Sequence, residues 1–157
     1  MARKATLQWL KGRKVALCDP NTSRVKRLEH QLERWGLEVV VFPSVDHVLA
    51  EIERQHYTTY RMYLVILVDL EFALTAEQAW VQVTDDNPSI LQTPVTLMYA
   101  PERESIAQEM MEGGYIRFML EHTEDEKGLL YLMQLLDRWK RRQYSVSETA
   151  YPAVKFD

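Results

Sequence analysis

The sequence predicts an α/β fold in which a parallel sheet of five strands is covered by helices on both faces. The decisive segment is Tyr63–Asp69, where six apolar residues run without a polar break and end at a carboxylate. Such a short run without alternation indicates a strand that is buried on both faces, as in the centre of a parallel sheet. Apolar segments of similar length alternate with helical patterns along the chain, which is typical of βαβ units.

Composition indicates one ordinary globular domain. The chain has 157 residues, of which 46% are hydrophobic and 27% charged, enough to bury a core. A net charge of -4 gives no general attraction to nucleic acid or to an anionic membrane. The single cysteine, Cys18, excludes an intramolecular disulfide and is typical of a reducing compartment. No apolar run could span a bilayer and no secretory signal is present, so we expect a cytoplasmic protein.

The first half of the chain predicts two strands and two helices. Residues 1–12 are an N-terminal extension, and the first strand, Arg13–Cys18, ends before Asp19-Pro20-Asn21 because proline cannot join a strand ladder. The next helix is capped by one of residues 21–23. A second strand follows at Leu37–Phe42, and then a helix over about Val45–Gln55.

The second half continues the alternation. After the central strand, residues 70–74 are expected to form a loop, and Thr75 with Gln78 fits a capping box that would start a helix to about Val83. The remaining segments are, in chain order, a strand at Pro94–Ala100, a helix from Pro101 to Gly114, a strand at Tyr115–Leu120, a helix at Thr123–Arg142, and a tail or linker over 143–157.

Connection rules reduce this alternation to few topologies. Right-handed crossovers favour a doubly wound (βα)5 sheet with the flavodoxin-like strand order 2-1-3-4-5. In such sheets the functional crevice lies outside the carboxyl ends of the strands. Asp69 lies at one of these ends, and Asp19 follows another.

Four segments carry a resemblance to a known family: CDPNTSR (18–24), LVILVD (64–69), NPSILQTPVTLMYAPERE (87–104) and EGGYIRF (112–118). Together they resemble the receiver domain of bacterial response regulators, over about residues 13–142. The resemblance implies a signalling domain in two-component systems and not an enzyme. It also implies that a histidine kinase would transfer a phosphoryl group to the aspartate that ends the third strand, here Asp69.

The resemblance further implies a degenerate pocket. Receivers hold Mg²⁺ with an acidic pair after the first strand, where this chain has Cys18 and Asp19. The usual hydroxyl residue that ends the fourth strand is replaced by Tyr99, and the usual lysine of the fifth strand by Phe118. Mg²⁺ prefers hard oxygen ligands, so only Asp19 and Asp69 remain for it. We therefore expect Mg²⁺ to bind weakly or not at all, and we expect no other cofactor.

Two functions stay open at this point. The favoured one is a protein–protein interaction module that works without phosphorylation, because losing one electrostatic contact to a transferring group typically costs ~3 kcal/mol of barrier. The alternative is a response regulator that is still phosphorylated on Asp69. Asp19 is either a turn residue or a metal ligand, and Cys18 is expected to be a small buried side chain. The histidines lack metal-ligand spacing and are expected at the surface: His30, His47, His56 and His122.

The last helix is more apolar than one stripe on a sheet requires. Such an excess indicates an interface with a protein partner or a second copy of the chain. The alternative is a large core that the C-terminal tail partly covers. The residues predicted for the interface lie on the last two helices: Met110, Met111, Leu132, Leu136 and Trp139.

Overall fold

The computed structural model describes residue 8 and residues 10–55, 63–86, 94–113, 116–122 and 125–139. Five parallel strands form one sheet in the order β2-β1-β3-β4-β5. The strands are β1 (Lys14–Cys18), β2 (Glu38–Val41), β3 (Tyr63–Asp69), β4 (Val95–Tyr99) and β5 (Phe118–Glu121). The predicted fold class and strand order are confirmed. Most of the predicted extension and all of the predicted tail lie outside the described residues.

Six helices accompany the strands in the described part of the chain. They are α1 (Thr22–Arg34), α2 (Val45–Gln55), α3 (Leu70–Thr75), α4 (Glu77–Asp86), α5 (Glu104–Glu112) and α6 (127–139). A short 3-10 turn, Pro101–Arg103, precedes α5. No described helix is both long and apolar enough to cross a membrane.

The strands divide their side chains between two cores. In β3, Ile66 and Val68 belong to one core and Leu67 to the other, as expected when successive residues point to opposite faces of a sheet. The first core packs under α2 to α5 and the second under α1 and α6. All seven residues of β3 are buried. The prediction of a strand covered on both faces is therefore confirmed.

Helix α1 starts and ends where local chemistry dictates. The side chain of Asn21 accepts a hydrogen bond from the Arg24 backbone N–H at 3.0 Å and caps the helix. Gly36 follows the helix with a φ of 90°, a conformation that side chains with a Cβ adopt at a cost. The Gly36 carbonyl accepts a bond of 2.7 Å from the N–H of Gly12. These contacts fix the turn that leads into β2.

The chain after β3 differs from the prediction. Helix α3 begins at Leu70, directly after Asp69, whose side chain caps it. Thr75 does not start a helix; it ends α3, and its hydroxyl donates a hydrogen bond of 2.6 Å to the carbonyl of Phe72. The next helix begins at Glu77. The capping box was misassigned because Asp69 supplies a cap six residues earlier, and residues 70–74 form a helix and not a loop.

The burial of the last two helices corrects most of the predicted interface. Met110 is 4% exposed, Leu132 3% and Leu136 0%. They belong to the two cores of this chain, because the sheet is covered on both faces and each core needs a thick layer of apolar side chains. Met111 and Trp139 keep partial exposure, so of the five predicted residues only these two are within reach of a partner.

We expect Leu136→Ala to lower the free energy of unfolding by about 2–5 kcal/mol, because it leaves a cavity in a close-packed core. Tyr131→Ala is the control on the same helix, since Tyr131 is 60% exposed; its effect should stay within about 1 kcal/mol. Urea denaturation measures both values. Equal stabilities for Leu136→Ala and the wild type would return Leu136 to the list of interface residues.

Candidate functional site

The candidate site is built around Asp69, the last residue of β3. Asp69 both ends a central strand and caps the start of helix α3. The Oδ2 atom accepts a hydrogen bond of 3.0 Å from the backbone N–H of Glu71, which satisfies one of the orphan donors at the start of the helix. The Oδ1 atom lies within hydrogen-bonding distance of the side chains of Arg24 and His122. Asp69 is only 3% exposed.

Asp19 follows β1, the strand next to β3, and is 7% exposed. Its Oδ1 accepts a bond of 2.9 Å from the N–H of Asn21. The aspartate thus shapes the turn that Pro20 begins. The two interpretations left open for Asp19 are compatible in this geometry, because a turn residue here also places a carboxylate near Asp69.

Arg24 joins the two aspartates. Its Nε lies 2.6 Å from Asp19 Oδ2, and its Nη2 lies 2.8 Å from Asp19 Oδ1 and 3.3 Å from Asp69 Oδ1. The first two contacts form the bidentate arrangement that makes arginine–carboxylate pairs strong and directional. The sequence interpretation missed Arg24. The available signal was its place in the first turn of α1, close to the turn that carries Asp19.

His122 provides the second contact to Asp69 Oδ1, at 2.8 Å from its Nε2. A carboxylate only accepts, so Nε2 carries the hydrogen of this bond. The residue follows β5 directly, and its backbone N–H donates to the Tyr99 carbonyl at 2.8 Å. The side chain is 14% exposed. The prediction that His122 is a surface residue is therefore wrong, because it was based on spacing along the chain and not on where β5 ends.

These side chains border an open cleft of about 370 Å³ at the carboxyl ends of the strands. Its lining residues are Pro20, Asn21, Arg24, Asp69, Leu70, Glu71, Ala100 and His122. The cleft lies where doubly wound sheets place their functional crevice.

Cys18 is buried at the end of β1. Burial raises the pKa of its thiol to about 12, and the nearby charges of Asp19 and Asp69 act in the same direction. The thiol therefore stays protonated at neutral pH, where a metal would require a thiolate.

Two further predicted pocket residues do not line the cleft. Phe118 is the first residue of β5, pairs with Thr96 and packs in the core under α1 and α6. It was misplaced because β5 begins at Phe118 and not at Tyr115, which brings His122 to the end of the strand. Tyr99 does end β4, but it is 8% exposed and packs in the other core. Burial raises the pKa of its hydroxyl.

An ion pair at the rim links α3 to the turn after β4. Arg103 Nε lies 2.9 Å from Glu71 Oε2, with side chains that are 38% and 55% exposed. Exposed pairs of this kind typically contribute about 0–1 kcal/mol. Glu71, expected in a solvated loop, is an exposed helix residue that pairs with Arg103 at this rim.

Three side chains at the cleft could together offer ligands to a metal ion. Ligand atoms of Asp19, Asp69 and His122 lie within 4.8 Å of one another. However, three of the four carboxylate oxygens are hydrogen-bonded to Arg24. At an effective dielectric constant near 20, a divalent ion about 4 Å from the guanidinium would be repelled by roughly 8 kcal/mol. The described residues, with Arg24 in this place, do not fit Mg²⁺.

No protein-family model and no curated sequence matches the chain, but solved structures do. A response-regulator receiver domain from Clostridium thermocellum is 14% identical with a TM-score of 0.66, over 83% of this chain and 98% of that one. The receiver domain of a sensor histidine kinase from Pseudomonas aeruginosa, with magnesium coordinated in its active-site cleft, is 16% identical with a TM-score of 0.64, over 80% and 98%. An adenylate cyclase from Rhodopirellula baltica is 16% identical with a TM-score of 0.60, over 87% and 98%.

The chain has the fold of a receiver domain. Identities of 14% to 16% establish the fold, and the chemistry of the cleft rests on this chain's own residues. Magnesium belongs to the Pseudomonas domain. In this chain, Arg24 and His122 contact the carboxylate at the end of β3.

We expect Cys18 to be unreactive toward a thiol reagent in the folded protein and reactive in urea, because its thiol is buried and its pKa is raised to about 12. The raised pKa also contributes stability that is present below the unfolded thiol's pKa and lost as pH rises from there toward 12. Absorbance after addition of Ellman's reagent, with Cys18→Ala as control, measures the reactivity. Rapid labelling without urea would contradict the burial.

Proposed function

We propose that the chain is a cytoplasmic receiver-type signalling domain with a degenerate pocket, and that it acts by binding a protein partner without phosphorylation of Asp69. The receiver fold supports a role in two-component signalling. The observation that carries the rest is the state of the Asp69 carboxylate, which is engaged on both oxygens by groups of the chain itself.

An attacking carboxylate needs access to the phosphoryl group and a way to neutralise the incoming charge. Asp69 Oδ1 is shared by Arg24 and His122, and Oδ2 is held by the N–H of Glu71. Phosphoryl transfer depends on a positioned nucleophile and on metal and cationic groups around the transferring oxygens. Here Arg24 and His122 bind the nucleophile, and Arg24 takes the oxygens that a metal would use. Both features oppose the reaction.

The conformational response is also altered. In the family that the chain resembles, a small hydroxyl side chain at the end of the fourth strand and a lysine follow the phosphoryl group. In this chain Tyr99 is packed in a core, and His122 is already bound to Asp69. The side chains at these positions are therefore already engaged in the unphosphorylated chain. This supports a domain with one resting state.

The proposed contact surface is a stripe on α6 formed by Tyr131, Leu135 and Trp139. These residues are four apart and so share one side of the helix. Tyr131 is 60% exposed, and the guanidinium carbon of Arg117 lies 5.7 Å from the centre of the Trp139 ring. The arginine precedes β5, an edge strand. Aromatic and arginine side chains are enriched in protein interfaces, which supports a protein partner or a second copy here, with no role for nucleic acid or membrane.

The alternative function is a response regulator that a histidine kinase phosphorylates on Asp69. One observation favours it: Arg24 and His122, which can donate hydrogen bonds to phosphoryl oxygens, lie directly against the Asp69 carboxylate. On this alternative, these side chains would move from the carboxylate to the phosphoryl group. We propose no enzymatic activity for either function.

Acetyl phosphate with Mg²⁺ should add no phosphate to the wild-type chain, because Asp69 is engaged and the metal position is taken by a cation. Intact-mass spectrometry measures this. The control is Asp69→Asn, which keeps the side-chain size and removes the acceptor. An adduct on the wild type that is absent from Asp69→Asn would establish the alternative function.

If the partner is a second copy, light scattering at micromolar concentration should give twice the chain mass, and Tyr131→Asp should give the monomer mass because it places a charge in the contact. Val41→Asp is the matched control: Val41 is 42% exposed and lies on β2, the opposite edge of the sheet. A monomer in all three samples would exclude self-association through this stripe.

A further inference from the structure

We propose that Arg24 is the resident cation of the cleft: it holds the position of a divalent metal, and Asp19, Asp69 and His122 become a metal site only when its guanidinium is removed. The inference takes its meaning from the degenerate pocket proposed above. Its test, however, needs no phosphorylation.

The buried carboxylates of Asp19 and Asp69 require a positive charge close to them. The side chains of Asp19 and Asp69 are 0% and 5% exposed. Two buried carboxylates at adjacent strand ends repel each other, and burying a carboxylate without a partner is costly. Arg24 is 20% exposed and contacts both. It therefore meets the same electrostatic demand that a bound metal ion would meet.

The oxygens that Arg24 binds are those that a metal would need. Arg24 binds both oxygens of Asp19 and Oδ1 of Asp69. These oxygens face one another across the ends of β1 and β3. A metal that bridged the two aspartates would need the same lone pairs, so arginine and metal exclude each other by geometry as well as by charge.

Arg24 keeps its charge, and its backbone is anchored at the start of α1. A guanidinium does not lose its proton in proteins, so a rise in pH does not discharge Arg24. The backbone N–H of Arg24 is held by the side chain of Asn21, in the first turn of α1. Only a rotation of the side chain away from the aspartates, or its removal, would take the guanidinium off these oxygens; Asp19 Oδ1 would then keep the Asn21 N–H and Asp69 Oδ1 the contact with His122, whose ring must turn from donor to ligand when a metal binds.

The ligand atoms that remain when Arg24 is removed indicate which metal the site would bind. Two carboxylates and one imidazole nitrogen lie within 4.8 Å of one another. A nitrogen ligand suits first-row transition metals better than Mg²⁺, which prefers oxygen ligands only. The latent site is therefore one for Mn²⁺ or Zn²⁺, and His122 separates it from a site made of carboxylates alone.

The experiment compares the wild type with Arg24→Ala, with Arg34→Ala as the matched control. Arg34 lies on the same helix, and its side chain is 52% exposed. Melting temperature in EDTA and in MnCl2, and Mn²⁺ binding by electron paramagnetic resonance, are the readouts. We expect Arg24→Ala to melt lower in EDTA, to regain stability with Mn²⁺, and to bind Mn²⁺ at least roughly tenfold more tightly than the wild type. Arg34→Ala should bind as the wild type does.

Further variants keep the result decisive. Arg24→Ala with His122→Ala should lose the gained Mn²⁺ binding, whereas retained binding would remove His122 from the ligand set and overturn the proposal as stated. If Arg24→Ala is unfolded in EDTA, Mn²⁺ should refold it. Arg24→Gln, which keeps hydrogen-bond donors but no charge, should also gain Mn²⁺ binding.

Equal Mn²⁺ affinity in the wild type and in Arg24→Ala would overturn the proposal, and so would a failure of both Arg24→Ala and Arg24→Gln to bind or refold with Mn²⁺. These outcomes are separate from the proposed function. Phosphorylation of the wild type would refute the function and leave the metal comparison standing. Equal metal affinities would refute this inference and leave the acetyl phosphate result unchanged.

Discussion

The structure depends on the neutralisation of two buried carboxylates. Asp19 follows β1 and Asp69 is the last residue of the neighbouring strand β3, so both lie at the carboxyl ends of the strands. Asp19 is 7% exposed and Asp69 3%. Left alone, they would oppose the packing of β1 against β3, because each adds an uncompensated charge to a poorly solvated place. Arg24 turns this repulsion into a link between β1, β3 and α1. The arrangement of the cleft follows from this one requirement.

Ordinary features of the fold place the two side chains that contact Asp69, Arg24 and His122. The turn at Pro20 and the cap at Asn21 set the phase of α1, so that its first turn carries Arg24 over the ends of the strands. The pairing of β5 with β4 sets the position of His122, whose backbone N–H extends the ladder by one more bond. Backbone hydrogen bonds thus place both Arg24 and His122 at the cleft.

The sequence predicted the sheet well because its strands are continuous apolar runs between proline and glycine signals. The resemblance to receiver domains had already grouped Asp19 with Asp69, and both lie at carboxyl ends of neighbouring parallel strands. The roles of Arg24 and His122 were missed: the place of Arg24 in the first turn of α1 was a signal, but its contacts depend on a side-chain rotamer, and the place of His122 depends on a strand that begins at Phe118. The excess of apolar residues on α6 left an interface and a large core as alternatives, and the core accounts for most of these residues. Residues such as Leu136 fill a core on the second face of the sheet, which hydrophobic periodicity alone does not measure.

The place of His122 at the end of an edge strand has a mechanical consequence. Among the described residues β5 pairs with one strand, β4, and edge elements with few supporting bonds open locally at a lower free energy than central ones. Any force that peels β5 from β4 breaks the bond from His122 to the Tyr99 carbonyl and withdraws the imidazole from Asp69 in the same motion. The pairing of β5 with β4 is therefore coupled to the hydrogen bonding of the buried Asp69 carboxylate through the backbone of β5.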